Sequence, residues 1–325
     1  MYKRQLYVNV PIAVIAAVGA FVYIPKIEPA KGVRLDIPGV VTAVLGLGGL
    51  VYAFSRAETD GWTDAWTLGL IAASVVLLVV FVLIQTRTAH PLLPLRVVLD
   101  RRRGGAYLAI ALAAIGMFAV FLFLTYYLQQ VLDFTPLKTG VAFLPFVAGI
   151  IISSTAIVTR LLPRVGPKPL IITGQLLGAV GLLIMWRLHL GSSYAGHVLP
   201  ALFIMGLGMG LIFASCFNTA TAAVERHDSG VASALVNTGQ QVGGALGTAL
   251  LNTIASTVTA AYVVDHATAG RPSPTTIAAA SVAGDTRAFL VSAGIFVVAA
   301  VLSLIVLPWG ANPAGQPGAP VPSGH

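Results

Sequence analysis

The residue types that carry out catalysis or bind metals are scattered along this sequence of 325 residues. The histidines share no metal-ligand spacing, and they are His90, His189, His197, His227, His266 and His325. The Ser153-Ser154 pair lacks the Gly-x-Ser-x-Gly context of a hydrolase nucleophile. The sequence therefore predicts that the protein is not an enzyme and that it holds no metal and no cofactor.

Two apolar stretches instead carry residues that suit the binding of a bulky hydrophobic or cationic molecule. At helical spacing, the candidates on stretch 105–128 and just beyond it are Phe118, Phe121, Thr125 and Gln129. The candidates on stretch 198–217 are Met205, Met209, Phe213 and Cys216. Aromatic rings and methionines pack adaptably and attract cations through their π faces. The alternative is that both stripes serve helix packing or lipid contact.

Two uncharged polar residues lie one helical turn apart in the apolar stretch 231–256. They are Asn237 and Gln241, and an amide at membrane depth is expected either to contact a substrate or to form an interhelical hydrogen bond.

The composition predicts an integral membrane protein. Hydrophobic residues make up 57% of the chain and charged residues 9%, whereas soluble proteins carry about 25% charged residues. Nine apolar stretches, none with an internal Asp or Glu, are 6–24, 37–55, 67–84, 105–128, 138–158, 169–187, 198–217, 231–256 and 288–307. Because these runs are continuous rather than alternating, they predict helices and not a β-barrel. The expected fold is an all-α membrane protein with nine transmembrane helices.

The distribution of Lys and Arg predicts the orientation in the cell membrane. With the N-terminal end of the chain outside, 12 of the 19 basic residues fall on inner segments, and these are Lys26, Lys31, Arg34, Arg87, Arg96, Arg101, Arg102, Arg103, Arg160, Arg164, Lys168 and Arg226. The C-terminus is then cytoplasmic. The net charge of +8 is thereby explained without a nucleic-acid partner.

Three connecting segments differ in composition. Residues 85–104 are polar and contain three consecutive arginines, which predicts a cytoplasmic linker. Residues 257–287 are rich in Ala, Thr and Pro and are expected to form a flexible outer loop. Residues 308–325 are uncharged and rich in Pro and Gly, which predicts a disordered cytoplasmic tail.

Two glycine series recur at four-residue spacing and predict close contacts between helices. They are Gly206 with Gly210, and Gly239 with Gly243 and Gly247. The functional alternative is that these faces slide or rock during alternating access.

A turn between two apolar stretches carries the most specific motif. In Tyr127–Pro145, YLQQVLDFTPLKTGVAFLP, Thr135 is expected to cap a new helix whose first residue is Pro136. The string resembles the Y-L-Q-x-V-x-G-x-S-P-L-x-A-G-x-x-x-L-P pattern of the fourteen-span drug:proton antiporters of the major facilitator superfamily. Residues 6–14, LYVNVPIAV, and 229–250, SGVASALVNTGQQVGGALGTAL, are similar to two further segments of that family, in the same order.

The resemblance implies a domain layout. Residues 6–24 would be the last helix of an N-terminal half, residues 25–84 two linker helices with their loops, and residues 105–307 a complete six-helix C-terminal half. About five preceding spans would be missing, and residues 1–5, MYKRQ, would be a non-native leader. The partners implied are the lipid bilayer, small hydrophobic or cationic substrates, protons and the missing N-terminal half.

The function implied is proton-coupled efflux of hydrophobic or cationic drugs by alternating access, by a chain that is inactive alone. The coupling acid is expected in the missing half, since the nine stretches contain none. One alternative is export of an endogenous metabolite or siderophore. A receptor or intramembrane enzyme would require a soluble domain or clustered ionisable groups, and the sequence has neither.

The resemblance also implies a gate and a cavity. Residues 159–168, TRLLPRVGPK, are similar to the superfamily's inner-loop pattern G-x-x-x-D-R-x-G-R-R, and the gate candidates are Arg160, Arg164, Gly166 and Lys168. The alternative for this loop is a positive anchor at the lipid headgroups. The central cavity of the family is lined by the first and fourth helices of each half, which here carry the Phe and Met stripes.

Overall fold

The structure, a computed structural model, describes residues 9–23, 36–88, 91–93, 95–222, 229–266 and 272–310. Its regular elements in this part of the chain are all helices. The chain divides into two compact units, Met1–Leu35 and Asp36–His325. Within its described residues, 9–23, the first unit consists of the helix α1, over Asn9–Tyr23.

The second unit contains the other helices. Their bounds are α2 Ile37–Asp60, α3 Ala65–Arg87, α4 Leu95–Leu99, α5 Arg101–Val131, α6 Pro136–Val165, α7 Pro167–Trp186, α8 Tyr194–Thr221, α9 Ser229–His266 and α10 Pro274–Val306. Helix α5 has π-helical turns at Val120–Leu124 and Tyr127–Val131.

The predicted all-helical membrane architecture is confirmed, with eight candidate spans among the described residues. The ninth predicted stretch, 6–24, contains α1, which has 15 described residues. A transmembrane helix needs about 20 residues, and residues 6–8 and 24 of the stretch lie outside the described residues, so the ninth span stays a prediction. The predicted leader 1–5 and all of the predicted tail beyond residue 310 lie outside the described residues.

Side-chain caps begin several of these helices. Thr135 accepts a hydrogen bond from the backbone N–H of Lys138 at 3.3 Å, and Pro136 is the first residue of α6, as predicted. Asp36 and Asp64 cap α2 and α3 in the same way. Each carboxylate accepts a backbone N–H, which stabilises its charged form and lowers its pKa.

The core of the second unit lies among α5, α7, α8 and α10. The ring of Phe296 on α10 packs against Gly116 of α5 and Gly178 of α7. Phe123 and Phe289 meet edge to face, with ring centroids 6.3 Å apart. The Phe296 contacts place a bulky ring against small residues, which lets the helix backbones approach.

The prediction of a flexible loop over residues 257–287 is wrong for most of that segment. Helix α9 continues to His266 and α10 begins at Pro274, where Ser273 caps it. Alanine is the strongest helix former, and the run Ala278–Ala280 after the Ser273 cap favours a helix over residues 274–287 despite their lower hydropathy. One consequence is that Asp285 lies inside the span Pro274–Val306; the expectation that the spans contain no acid is therefore wrong.

The predicted linker 85–104 is shorter than expected. Helix α3 ends at Arg87, and the three arginines form the first turn of α5, where Asp100 caps the helix. The short helix α4 lies between them.

Candidate functional site

Two of the predicted binding residues line one cavity. Phe118 of α5 and Gln241 of α9 face a space of about 390 Å³ that also contacts α2. We call it the linker-side cavity, and its lining residues are Val51, Ser55, Phe118, Gln241, Gly244, Ala245, Thr248 and Ala249. The ring of Phe118 packs directly on Gly244.

The remaining predicted residues of α5 face elsewhere. Phe121 stacks on Phe143 of α6, with centroids 5.0 Å apart, and meets Phe146 edge to face at 5.6 Å. Thr125 donates its hydroxyl to the carbonyl oxygen of Phe121 at 2.5 Å, and Gln129 is half-buried. The π-helical turns add residues per turn, so the face expected from a 3.6-residue period does not run straight along α5.

The methionine stripe of α8 lies in the core. Met205, Met209 and Cys216 are fully buried, and Phe213 packs against the core while half-buried. A Cβ added at Gly181 of α7 would lie 2.9 Å from that of Met205. In this conformation Met205 lies at the contact between α7 and α8, and the stripe belongs to the core.

Asn237 and Gln241 have different surroundings although they are one turn apart. Asn237 is exposed, and its Nδ2 donates to the carbonyl oxygen of Ser233 on the same helix at 3.2 Å. Gln241 lines the linker-side cavity.

Four of the five series glycines lie at tight helix contacts. Gly206 faces the Phe146 carbonyl of α6, and Gly243 faces the Ala111 carbonyl of α5, so a Cβ at either position would clash. Gly210 and Gly247 are similarly close to Ile150 and Ile115. A Cβ added at Gly239 would be 3.6 Å from the nearest atom, an ordinary contact.

The inner-loop candidates divide into buried and exposed residues. Gly166 has a φ of 78°, a conformation that favours glycine, and it joins α6 to α7. Lys168 is 4% exposed and its Nζ lies 4.4 Å from the centroid of the Trp309 ring. Arg160 and Arg164 are exposed.

A second polar cavity, missed from the sequence, surrounds Asp285. It measures about 370 Å³ and lies among α5, α9 and α10. We call it the Asp285 cavity, and its lining residues are Phe123, Tyr126, Gln130, Asn252, Ala255, Ser256, Thr259, Ala260, Ser281 and Asp285. The Ser273-Pro274 helix start was the sequence signal that could have placed Asp285 inside a helix.

Comparisons with known proteins agree with this architecture. A sequence profile described as the Major Facilitator Superfamily matches residues 6–248. The puromycin resistance protein pur8 of Streptomyces alboniger is 43% identical over 308 residues, which cover 94% of this chain and 60% of that protein. The cephamycin export protein CmcT of Amycolatopsis lactamdurans is 33% identical over 256 residues, which cover 78% of this chain and 53% of that protein.

A more distant relative is the multidrug resistance protein Stp of Mycobacterium tuberculosis. It is 26% identical over 274 residues, which cover 84% of this chain and 50% of that protein. The chain thus spans between 50% and 60% of the length of these three relatives.

Proposed function

Because the chain belongs to the major facilitator superfamily, we propose that it is part of an exporter of hydrophobic or cationic drugs that works by alternating access. The observation that carries this proposal is the 43% identity, over 94% of the chain, to a protein named for puromycin resistance. The linker-side cavity supports it, since an aromatic ring and an amide there suit an amphipathic ligand.

We further propose the fourteen-span layout of the drug:proton antiporters for the whole protein. Helix α1 would then end an N-terminal half, α2 and α3 would be the linker helices, and α5 to α10 would form the C-terminal half. The shared length supports this layout, since the chain spans 60% of its 43%-identical relative. The distribution of basic residues supports an N-terminal end outside the cell and a cytoplasmic C-terminus.

In the proposed transport cycle, drug enters from the cytoplasm or inner leaflet and leaves after the two halves rock. The tight glycine contacts between α6 and α8, and between α5 and α9, would keep each helix pair together as the C-terminal half moves. Coupling to protons requires an acid in the transport path. The resemblance to the antiporters assigns that acid to the N-terminal half, so we propose that this chain is inactive alone.

A second candidate is export of an endogenous product, such as a metabolite or siderophore. The observation that favours it is the 33% identity to a protein named for cephamycin export. The two candidates share a fold and differ in cargo.

Substrate-dependent proton release separates the two candidates. The chain, joined to the N-terminal half of the pur8 protein, is reconstituted in liposomes with an internal pH dye. Drug export predicts proton movement on addition of puromycin or a panel of lipophilic cations. A response to secreted metabolites with none to the cations would support the second candidate, and no response to either would contradict both.

A further inference from the structure

We propose that the Asp285 cavity binds the protonated amine, or another organic cationic group, of a transported molecule. This inference rests on the proposed drug export and specifies one ligand class for it. The cavity volume of about 370 Å³ falls in the range of small-molecule sites, and it would hold the cationic end of a drug or a whole small cation.

The first argument is the isolation of the carboxylate. Asp285 is 9% exposed, and no hydrogen bond or ion pair joins it to any other residue that the structure describes. Arg287 is exposed and lies two positions on, which directs it to another side of the helix. Burying a carboxylate costs several kcal/mol unless it is paired. A cationic ligand would supply the missing partner.

The second argument is the set of hydroxyl groups around the carboxylate. Thr259 donates its hydroxyl to the carbonyl oxygen of Ala280 at 3.2 Å. Ser256 and Ser281 donate theirs to backbone carbonyls of their own helices. Because each hydroxyl has a single proton, these three oxygens present lone pairs to the cavity. Lone pairs beside a carboxylate accept hydrogen bonds from an ammonium group and suit an anion poorly.

The third argument is aromatic. Phe123 and Tyr126 line the same cavity, and aromatic faces attract organic cations. The ring of Phe123 is held in place by its edge-to-face contact with Phe289. A carboxylate with aromatic rings beside it recognises a bulky cation better than a compact metal ion.

An inorganic cation site is disfavoured by the ligand set. Metal ions in proteins need several oxygen, nitrogen or sulfur ligands, and the part of the chain that the structure describes has no group of three acidic, His or Cys residues that could hold one. Among the lining residues that the structure describes, Asp285 supplies the sole carboxylate.

The position of the cavity assigns it a step in transport. Asp285 lies about 30 Å along α10 from Leu307, and Leu307 packs on Gly105 near the arginine-rich start of α5. In the proposed orientation this is the outer end of the span. The cavity would therefore hold the cation shortly before its release.

Ethidium binding to the purified full chain in nanodiscs, followed by fluorescence polarisation, tests this proposal. We expect Asp285→Asn to weaken ethidium binding at least tenfold. Asp265→Asn removes the same charge from an exposed position at the end of α9 and should leave binding unchanged. Asp285→Glu should retain most of the affinity. Equal ethidium affinity in the two Asn variants would overturn the proposal.

Two further measurements test the proposal even if Asp285→Asn does not fold. One uses a second variant, and the other uses chemical labelling of the unaltered protein. Gln130→Lys brings an ammonium group to the cavity wall and should abolish ethidium binding while Asp285 is retained. In the unaltered chain, tetraphenylphosphonium should protect Asp285 from a hydrophobic carbodiimide, as read by mass spectrometry. Protection by NaCl but not by tetraphenylphosphonium would assign the cavity to an inorganic cation and contradict the proposal.

These outcomes are independent of the transport claim, because ethidium binding is measured on this chain without any added N-terminal half. If Asp285→Asn does not weaken ethidium binding while the chain joined to the N-terminal half of the pur8 protein still exports drug, this inference alone is overturned. If the joined protein shows no efflux while Asp285→Asn does weaken ethidium binding, the proposed function is overturned and the cation site is retained.

Discussion

The ammonium nitrogen of Lys168 lies 4.4 Å from the centroid of the Trp309 ring. This contact joins the first turn of α7 to the residues that follow α10, and Lys168 is almost completely buried. Trp309 is 67% exposed, and a cation–π pair at an exposed site contributes about 0.5–1 kcal/mol. In the proposed orientation it would fasten the cytoplasmic end of α7 to that of α10.

Removing either partner of this pair should therefore lower thermal stability, and both single substitutions should remove the same interaction energy. We predict that Lys168→Met and Trp309→Ala each lower the thermal unfolding midpoint and that the double variant is little worse than either single one, with a coupling of about 0.5–1 kcal/mol. Trp309→Phe should keep most of the contact, and Trp186→Ala serves as a control at another exposed tryptophan. Strictly additive effects in the cycle would mean that the pair does not interact.

Asp36 and Gln85 predict a pH dependence at the junction of α2 and α3. The Asp36 carboxylate accepts the backbone N–H of Gly39 at 2.9 Å and the Gln85 amide at 2.7 Å, and both bonds lower its pKa. A lowered pKa in the folded state gives stability that is present above the ordinary aspartate pKa and is lost as the pH falls through the folded value. We expect the thermal unfolding midpoint to decrease as the pH is lowered below about 4. Asp36→Asn should make the midpoint less dependent on pH in that range. An unchanged acid profile in Asp36→Asn, with Asp265→Asn as the reference, would show that Asp36 does not contribute.

The glycine contacts predict that two Gly→Ala substitutions near α6 differ in their effect on stability. A Cβ at Gly206 of α8 would clash with the Phe146 carbonyl, whereas Gly140 of α6 has no atom within 4 Å of an added Cβ. Gly206→Ala should destabilise the protein by about 1–3 kcal/mol. Gly140→Ala should be neutral or stabilising by up to about 1 kcal/mol. Thermal unfolding in detergent measures both, and equal effects would contradict the packing described here.

The linker-side cavity predicts unequal roles for two neighbouring amides. Gln241 lines that cavity with Phe118, whereas Asn237 bonds within its own helix. In a chain joined to the N-terminal half of a relative, Gln241→Ala and Phe118→Ala should each reduce ethidium efflux several-fold. Asn237→Ala should change it little. The reverse order would move the substrate path away from this cavity.

The sequence predicts the helices better than it predicts the surroundings of their side chains. Continuous apolar runs and the Thr135-Pro136 start are local signals, and they locate the spans of the second unit. The extension of α10 was missed because the alanines and the Ser273-Pro274 start, rather than hydropathy, favour a helix over residues 274–287. Asp285 was consequently assigned to a loop. Residues 257–266, in which Thr and Val outnumber Ala, continue α9 without such a propensity.

The binding residues were harder to assign because a stripe on one helix does not identify its neighbour. Met205 and Met209 have the spacing expected of either a cavity wall or a core, and both are fully buried. Met205 packs against α7 at Gly181. Phe118 and Phe121 share a predicted face but contact α9 and α6 respectively. Those contacts depend on tertiary structure, which periodicity alone does not contain.

The most direct test of the proposed function compares the 325-residue chain with the same chain joined to the N-terminal half of the pur8 protein. Both are produced at equal membrane levels in a bacterium that lacks its own drug pumps, and efflux of preloaded ethidium is recorded together with growth on puromycin. We predict efflux and resistance from the joined protein, loss of both when the proton gradient is collapsed, and neither from the chain alone. Efflux from cells that make only the 325-residue chain would contradict the account.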